Sequence, residues 1–213
     1  MNKAEIETRI VNTGAMAIVR TDTIERGIEI AEGCLEGGVD VLEISYTLPN
    51  AGEVIRALNE RFGNKLLVGA GTVLDSETAR LAILSGARFI IAPTLSREVA
   101  VMCNRYRIPY APGCSTVTEM VQALELGASF VKAFPISNFY GPSLVSIVKT
   151  PLPHMPILAS GGVTLDNLAE WMGSGVDSVG LGGLLTRGGK AEIAANAKQI
   201  TEIIRAARTD REV

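Results

Sequence analysis

Short apolar runs rich in β-branched residues alternate with longer stretches in which apolar positions recur at helical spacing. The short runs are Ala15–Arg20, Val39–Ile44, Leu66–Gly69, Phe89–Ala92, Pro109–Ala111, Phe130–Lys132, Pro156–Ala159 and Ser178–Gly180. Each is shorter than a stable helix needs and reads as a buried strand. Helical periodicity marks Thr23–Glu36, Ala51–Phe62, Ser76–Leu84, Ser96–Arg105, Thr116–Leu126, Pro142–Lys149, Leu165–Met172 and Glu192–Ala207, with a further helix over Ala4–Asn12 ahead of the first strand. Strand-then-helix units in series are the pattern of a parallel sheet, whose neighbours can be joined only by long crossovers.

The joins repeat as well. Glu36-Gly37-Gly38-Val39-Asp40, Leu84-Ser85-Gly86-Ala87, Leu126-Gly127-Ala128 and Ser174-Gly175-Val176-Asp177 all place glycine where a helix ends in a left-handed cap and a strand begins. Eight such units predict an α/β fold closed into a (β/α)8 TIM barrel with an extra N-terminal helix, one domain over residues 1–213. The alternative, an open doubly wound sheet, would carry a dinucleotide fingerprint after its first strand, and none follows Arg20.

In such a barrel, chemistry collects at the C-terminal ends of the strands. Lys132 is the one lysine that closes a strand: Lys65 precedes one, Lys149 ends a helix, Lys190 lies in a glycine-rich loop, and Lys3 and Lys198 sit in terminal helices. Among Phe130, Val131 and Phe134 its head should be partly desolvated, which favours the neutral, nucleophilic amine. A lysine that snorkels to water fits the same pattern. Glu43, at the end of an apolar strand, needs a partner for its charge, and Lys132 can be that partner, either as a proton-transfer pair or as a buried ion pair. The remaining strand ends supply Arg20, Gly71 and Thr72, Pro93, Cys114 and Ser160. Ser160-Gly161-Gly162 after the seventh strand and Gly180-Leu181-Gly182-Gly183 after the eighth occupy the two loops that often hold phosphate in this fold.

Composition narrows the chemistry. With 47% hydrophobic and 20% charged residues and a net charge of -3, the chain should be globular, and no basic stripe suggests a nucleic-acid partner. No run approaches the length of a membrane span and the N-terminus lacks a signal-peptide core, so a cytoplasmic protein is expected. The 3 cysteines, Cys34, Cys103 and Cys114, are widely spaced, as reduced thiols would be. One histidine, His154, and no ligand cluster argue against a metal site. No cofactor is expected, because a lysine iminium is itself an electron sink.

Together these residues resemble the class I aldolases that cleave 2-keto-3-deoxy-6-phosphogluconate, its galactonate isomer and 4-hydroxy-2-oxoglutarate. The resemblance runs from about Gly14 to Gly183 and rests on Leu42-Glu43-Ile44, Val68-Gly69-Ala70-Gly71-Thr72-Val73-Leu74, Pro112-Gly113-Cys114-Ser115-Thr116, Val131-Lys132-Ala133-Phe134-Pro135 and Gly161-Gly162-Val163-Thr164. It implies a Schiff base at Lys132 and acid/base work by Glu43. It also implies substrate-carboxylate contacts from Arg20 and Thr72, phosphate loops at Gly161, Gly162 and Gly182, and a homotrimer; Gly71, Pro93, Phe134 and Ser160 are further candidates for substrate contact and Gly183 for phosphate. Two positions depart from the gluconate-type pattern: Thr47 stands where an arginine is usual, and Gly183 where a serine is usual. Phe134–Pro142 looks like the galactonate branch and Ser160 like the gluconate branch. The implied reaction is cleavage of 2-keto-3-deoxy-6-phosphogluconate to pyruvate and glyceraldehyde 3-phosphate, with 4-hydroxy-2-oxoglutarate as a further substrate. The galactonate isomer is the alternative. A phosphosugar epimerase or a non-catalytic sensor on the same barrel would keep the glycine loops without an iminium.

Overall fold

The computed structural model describes residues 1–209; residues 210–213, the end of the expected domain span, lie outside the described residues. The chain opens with α1 (Lys3–Thr13), β1 (Ala15–Val19), α2 (Ile24–Glu36), β2 (Val41–Ser45), α3 (Ala51–Phe62), β3 (Leu67–Gly71) and α4 (Ser76–Leu84). β4 (Ile90–Ile91), α5 (Arg97–Tyr106), β5 (Tyr110–Ala111), β6 (Gly113–Cys114), α6 (Val117–Glu125) and β7 (Val131–Ala133) follow. The last third holds α7 (Ser137–Tyr140), α8 (Ser143–Lys149), β8 (Ile157–Ser160), α9 (Leu168–Gly173), β9 (Ser178–Leu181), α10 (Gly183–Thr186) and α11 (Lys190–Thr209). Every strand pairing is parallel, in the order β5-β4-β3-β2-β1-β9-β8-β7-β6.

The two ends of that sheet, β5 and β6, are pieces of one run interrupted at Pro112, which has no N–H to give to a ladder. Its carbonyl still accepts from the Lys132 N–H at 2.8 Å. The sheet is therefore a nearly closed barrel with helices outside and α1 in front, as the alternation of elements predicts. The fifth strand, expected over Pro109–Ala111, instead splits and runs on to Cys114. The helix expected over Leu165–Met172 begins only at Leu168, because Thr164–Asn167 closes a turn in which the Asn167 side chain accepts from the Thr164 N–H at 2.8 Å.

Helix starts follow local chemistry. Asn2 with Glu5 and Thr116 with Glu119 form reciprocal capping boxes on α1 and α6, and Thr23, Asp75 and Ser96 cap α2, α4 and α5 through their side-chain oxygens. At the repeated joins, Gly38, Gly86, Gly127 and Gly175 all hold positive φ, as the left-handed exit requires.

The core has two parts. One lies between the outer face of the sheet and the helices. The other fills the barrel's lower interior: Ile6 and Ile10 of α1 pack against Met16, Val41, Leu67, Phe89, Ile91, Ala111, Phe130 and Leu158. The extra N-terminal helix is thus a plug. A Cβ on Gly69 would overlap the Phe89 ring, so that glycine makes room for one of the two phenylalanines of the floor. Among the described residues, no helix is long and apolar enough to cross a membrane.

Candidate active site

Side chains alternate along a strand, so a strand that gives the floor an apolar residue can give the mouth the residue two positions on. In β2, Val41 belongs to the floor while Leu42 and Ile44 face the helices, which turns Glu43 and Ser45 into the barrel. Phe130 lies in the floor and Val131 and Ala133 in the outer core, which turns Lys132 inward. In β8, Leu158 is floor, Ile157 and Ala159 are outer core, and Ser160 faces the mouth. The three polar groups are 2%, 8% and 5% exposed respectively for Glu43, Lys132 and Ser160, deep enough for their environment to set their chemistry.

Burial pushes the Glu43 carboxyl above the ordinary carboxylate range, and the charges of Lys132 and then Arg20 pull it part of the way back. Among the described residues neither Glu43 nor Lys132 belongs to a direct ion pair. The two sense one another through the interior without being locked together, which leaves the amine accessible to a ligand. The Lys132 ammonium nitrogen sits 5.0 Å from the centre of the Phe134 ring. A Cβ on Gly71 would overlap the Glu43 carboxylate, so Gly71 serves the site by leaving that space to Glu43. Gly113, in register with Lys132, likewise admits the backbone carbonyl of Pro93.

Arg20 follows β1 and is exposed; it contributes charge to Glu43 from the rim. Thr72 has φ 58, unusual for a β-branched residue, and its hydroxyl lies 2.8 Å from that of Ser45. Beyond Ser160, Gly161 and Gly162 hold φ 100 and 73, conformations that glycine adopts without strain. Asn138 of α7 packs over both, and the Asn167 side chain donates to the Gly162 carbonyl at 2.8 Å. Gly182 follows β9, and Gly183, expected in a loop, instead opens the one-turn helix α10. A Cβ there would stand 3.2 Å from Nε of Arg187, whose exposed side chain folds back along α10. Because β8 and β9 are neighbours, with Ser160 in register with Gly180, the two glycine loops adjoin.

The expected residues thus gather at one end of the barrel. Lys65 and His154 lie at the other. Among the described residues, no group of three or more His, Cys, Asp and Glu could hold a metal ion. Four residues escaped the sequence reading. Ser45 was legible from alternation, two positions past Glu43. Ser137, buried and donating to the Ser160 carbonyl at 2.6 Å, and Asn138 reach the site from the one-turn helix α7, and Arg187 from the cap of the one-turn α10, elements that periodicity does not register.

Comparison with known proteins identifies the family and the fold. The chain is 35% identical over 194 residues to the 2-dehydro-3-deoxy-6-phosphogalactonate aldolase of Escherichia coli strain K12, spanning 91% of this chain and 94% of that protein. The native KDPGal structure superimposes with a TM-score of 0.86 at 33% identity, covering 92% of this chain and 96% of that one. The KDPG aldolase of Legionella pneumophila, solved with pyruvate captured at low pH as a covalent carbinolamine intermediate, superimposes with a TM-score of 0.80 at 26% identity, covering 95% of this chain and 97% of that one. The family profile described as "Aldolase: KDPG and KHG aldolase" matches residues 6–206. The chain therefore belongs to the KDPG and KHG aldolase family, and it is a lyase rather than an epimerase or a sensor.

Proposed function

We propose that this protein cleaves 2-keto-3-deoxy-6-phosphogluconate to pyruvate and glyceraldehyde 3-phosphate through a Schiff base at Lys132. The observation that carries the reading is the inward-facing pair of Lys132 and Glu43, buried at the barrel mouth and coupled by charge without a direct ion pair. The Lys132 amine adds to the C2 ketone to give a carbinolamine, which loses water to form an iminium. The C3–C4 bonding pair flows into that cation as Glu43 takes the proton of the C4 hydroxyl and the aldehyde departs. The enamine left on Lys132 is protonated at C3, and water releases pyruvate and the free amine. A carboxylate kept basic by burial suits a proton carrier, and general base assistance typically contributes about 10²–10⁴-fold.

The site supports roles for its other residues. Thr72 and Arg20 receive the substrate carboxylate, and Phe134 packs beside the amine. The loops at Gly161, Gly162, Gly182 and Gly183 receive the phosphate, with Arg187 supplying charge where Gly183 has no hydroxyl. The short acid 4-hydroxy-2-oxoglutarate, which needs no phosphate grip, is a further substrate. The galactonate epimer is the second reading, favoured by the 35% identity over 91% of the chain to an aldolase of that name. Family likeness further supports a homotrimer.

Pyruvate with borohydride tests the mechanism, because reduction converts an iminium into a stable amine. Peptide mapping should place the added mass on Lys132, with Lys132→Met unmodified and inactive. Modification at another lysine, or none, overturns the reading.

A further inference from the structure

Ser45 ends β2 inside the mouth and is 1% exposed, yet the reaction above gives it no task. Its Oγ lies 2.8 Å from the Thr72 hydroxyl and 3.2 Å from the Thr47 hydroxyl, so three hydroxyls stand in a row from the exposed Thr47 to Thr72. The backbone fixes their spacing. Ser45 is in register with Gly71, and the Tyr46 N–H donates to the Gly71 carbonyl at 2.8 Å, which ties the end of β2 to the residue before Thr72.

Proton counting gives the row a direction. Each hydroxyl has one proton to donate. The two contacts within the row consume two of the three, and the third is left for a partner outside the row. A carboxylate is an acceptor only. With a keto acid's carboxylate at Thr72, the order becomes Thr47 to Ser45, Ser45 to Thr72, and Thr72 to the ligand. Donors in such a chain polarise one another, and the last bond, to a charged acceptor, is the strongest.

We propose that Ser45 and Thr47 form a hydroxyl relay that aims and polarises Thr72 as the donor to the substrate carboxylate, which makes Ser45 a positioning residue for recognition of the 2-keto acid. The relay rests on the reading of Thr72 as a carboxylate contact in a Lys132 aldolase. It explains why a polar side chain is buried two positions beyond Glu43, and why a β-branched residue holds a left-handed backbone: that conformation brings the Thr72 hydroxyl to Ser45.

The test is the dependence of borohydride trapping on pyruvate concentration, read by mass spectrometry. Ser45→Ala should raise the half-saturating pyruvate concentration about fivefold, the size of one hydrogen bond between neutral groups, with a smaller change in the plateau. Ser45→Thr, which restores a hydroxyl, should recover most of that loss. Thr47→Val should raise half-saturation roughly two- to threefold. In the Ser45→Ala background it should have no further effect, since Thr47 acts only through Ser45. An unchanged half-saturation in Ser45→Ala, or additive losses in the double variant, overturns the relay while leaving the aldolase reading intact. Should Ser45→Ala fold poorly, Thr47→Val at its exposed site decides, and wild-type half-saturation there overturns the proposal. If wild type itself is not trapped at Lys132, the aldolase reading fails and the relay falls with it.

Discussion

The floor and the mouth of the barrel are built from the same strands, two residues apart. Val41 and Glu43, Phe130 and Lys132, and Leu158 and Ser160 are successive inward positions, and in each pair the first is sealed apolar packing and the second is chemistry. The spacing between such positions is about 7 Å along a strand. Over that distance the interior changes from a plug completed by Ile6 and Ile10 to a cluster with an amine, a carboxylate and several hydroxyls. The floor keeps water from the underside of Glu43 and Lys132, and that exclusion is what raises the basicity of the carboxylate. Stability and reactivity are thus divided between two layers, and substitutions in each should separate them.

The largest effect is expected in the floor. Phe89→Ala removes a fully buried ring against Gly69, and should cost roughly 3–5 kcal/mol of stability. Denaturant midpoints should fall without a change in m. Below the new transition, Lys132 should still be trapped by pyruvate. A loss of trapping in a folded Phe89→Ala protein would mean that the two layers are not separable.

The next effect is expected in the mouth. Glu43→Gln keeps the shape beside Gly71 but carries no proton, so turnover should fall at least about a hundredfold while trapping at Lys132 persists. Near-normal turnover would show that another group moves the proton. The stability effect has the opposite sign. Glu43 has a raised pKa in the fold, so between its ordinary and its folded value the native state holds a proton that the unfolded chain has released, and this stabilisation is lost as pH rises through the folded value. Glu43→Gln should therefore be more stable than wild type above that pH, with the advantage shrinking towards the ordinary carboxylate range. Melting temperatures measured across pH check the sign.

The division into layers also marks how far the sequence could be read. Strand ends put Lys132, Glu43 and Ser160 at the mouth, where the structure also has them, because a strand's alternation is local, and the β-branched runs bounded by glycine joins left little room for another fold. Arg20, Gly71 and Pro93 were also placed at the mouth, but not what they do there. That Gly71 yields space to Glu43, or Gly113 to the Pro93 carbonyl, depends on contacts between separate strands. The split at Pro112 was visible as a proline, yet only the sheet shows that both of its flanks stay paired. Asn138 reaches the glycine loops from a single helical turn and Arg187 from the cap of another, and such turns have no period to detect.

The smallest effect concerns substrate choice, and it falls on the residue where the two layers meet. Ser160 is 5% exposed and stands directly before the Gly161-Gly162 turn, with its carbonyl held by the Ser137 hydroxyl, so its side chain has a fixed place between the Lys132 strand and the glycine loops. A hydroxyl at that place can pair with the C4 oxygen in one configuration, and an apolar side chain would leave that oxygen without a partner. Losing one such bond at a buried site costs about 1–3 kcal/mol, or roughly 5- to 150-fold in preference. Wild type should accordingly have the higher kcat/KM for the gluconate epimer, and Ser160→Val should shift the ratio towards the galactonate epimer by an amount in that range. Valine carries one methyl group more than serine in this buried place, so Ser160→Ala, which removes only the hydroxyl, should shift the ratio the same way and separates the lost bond from crowding. If wild type prefers the galactonate epimer, or the ratio does not move in Ser160→Val, selection lies elsewhere. Phe134–Pro142, which carries Asn138 over the Gly161-Gly162 turn, is then the segment to exchange.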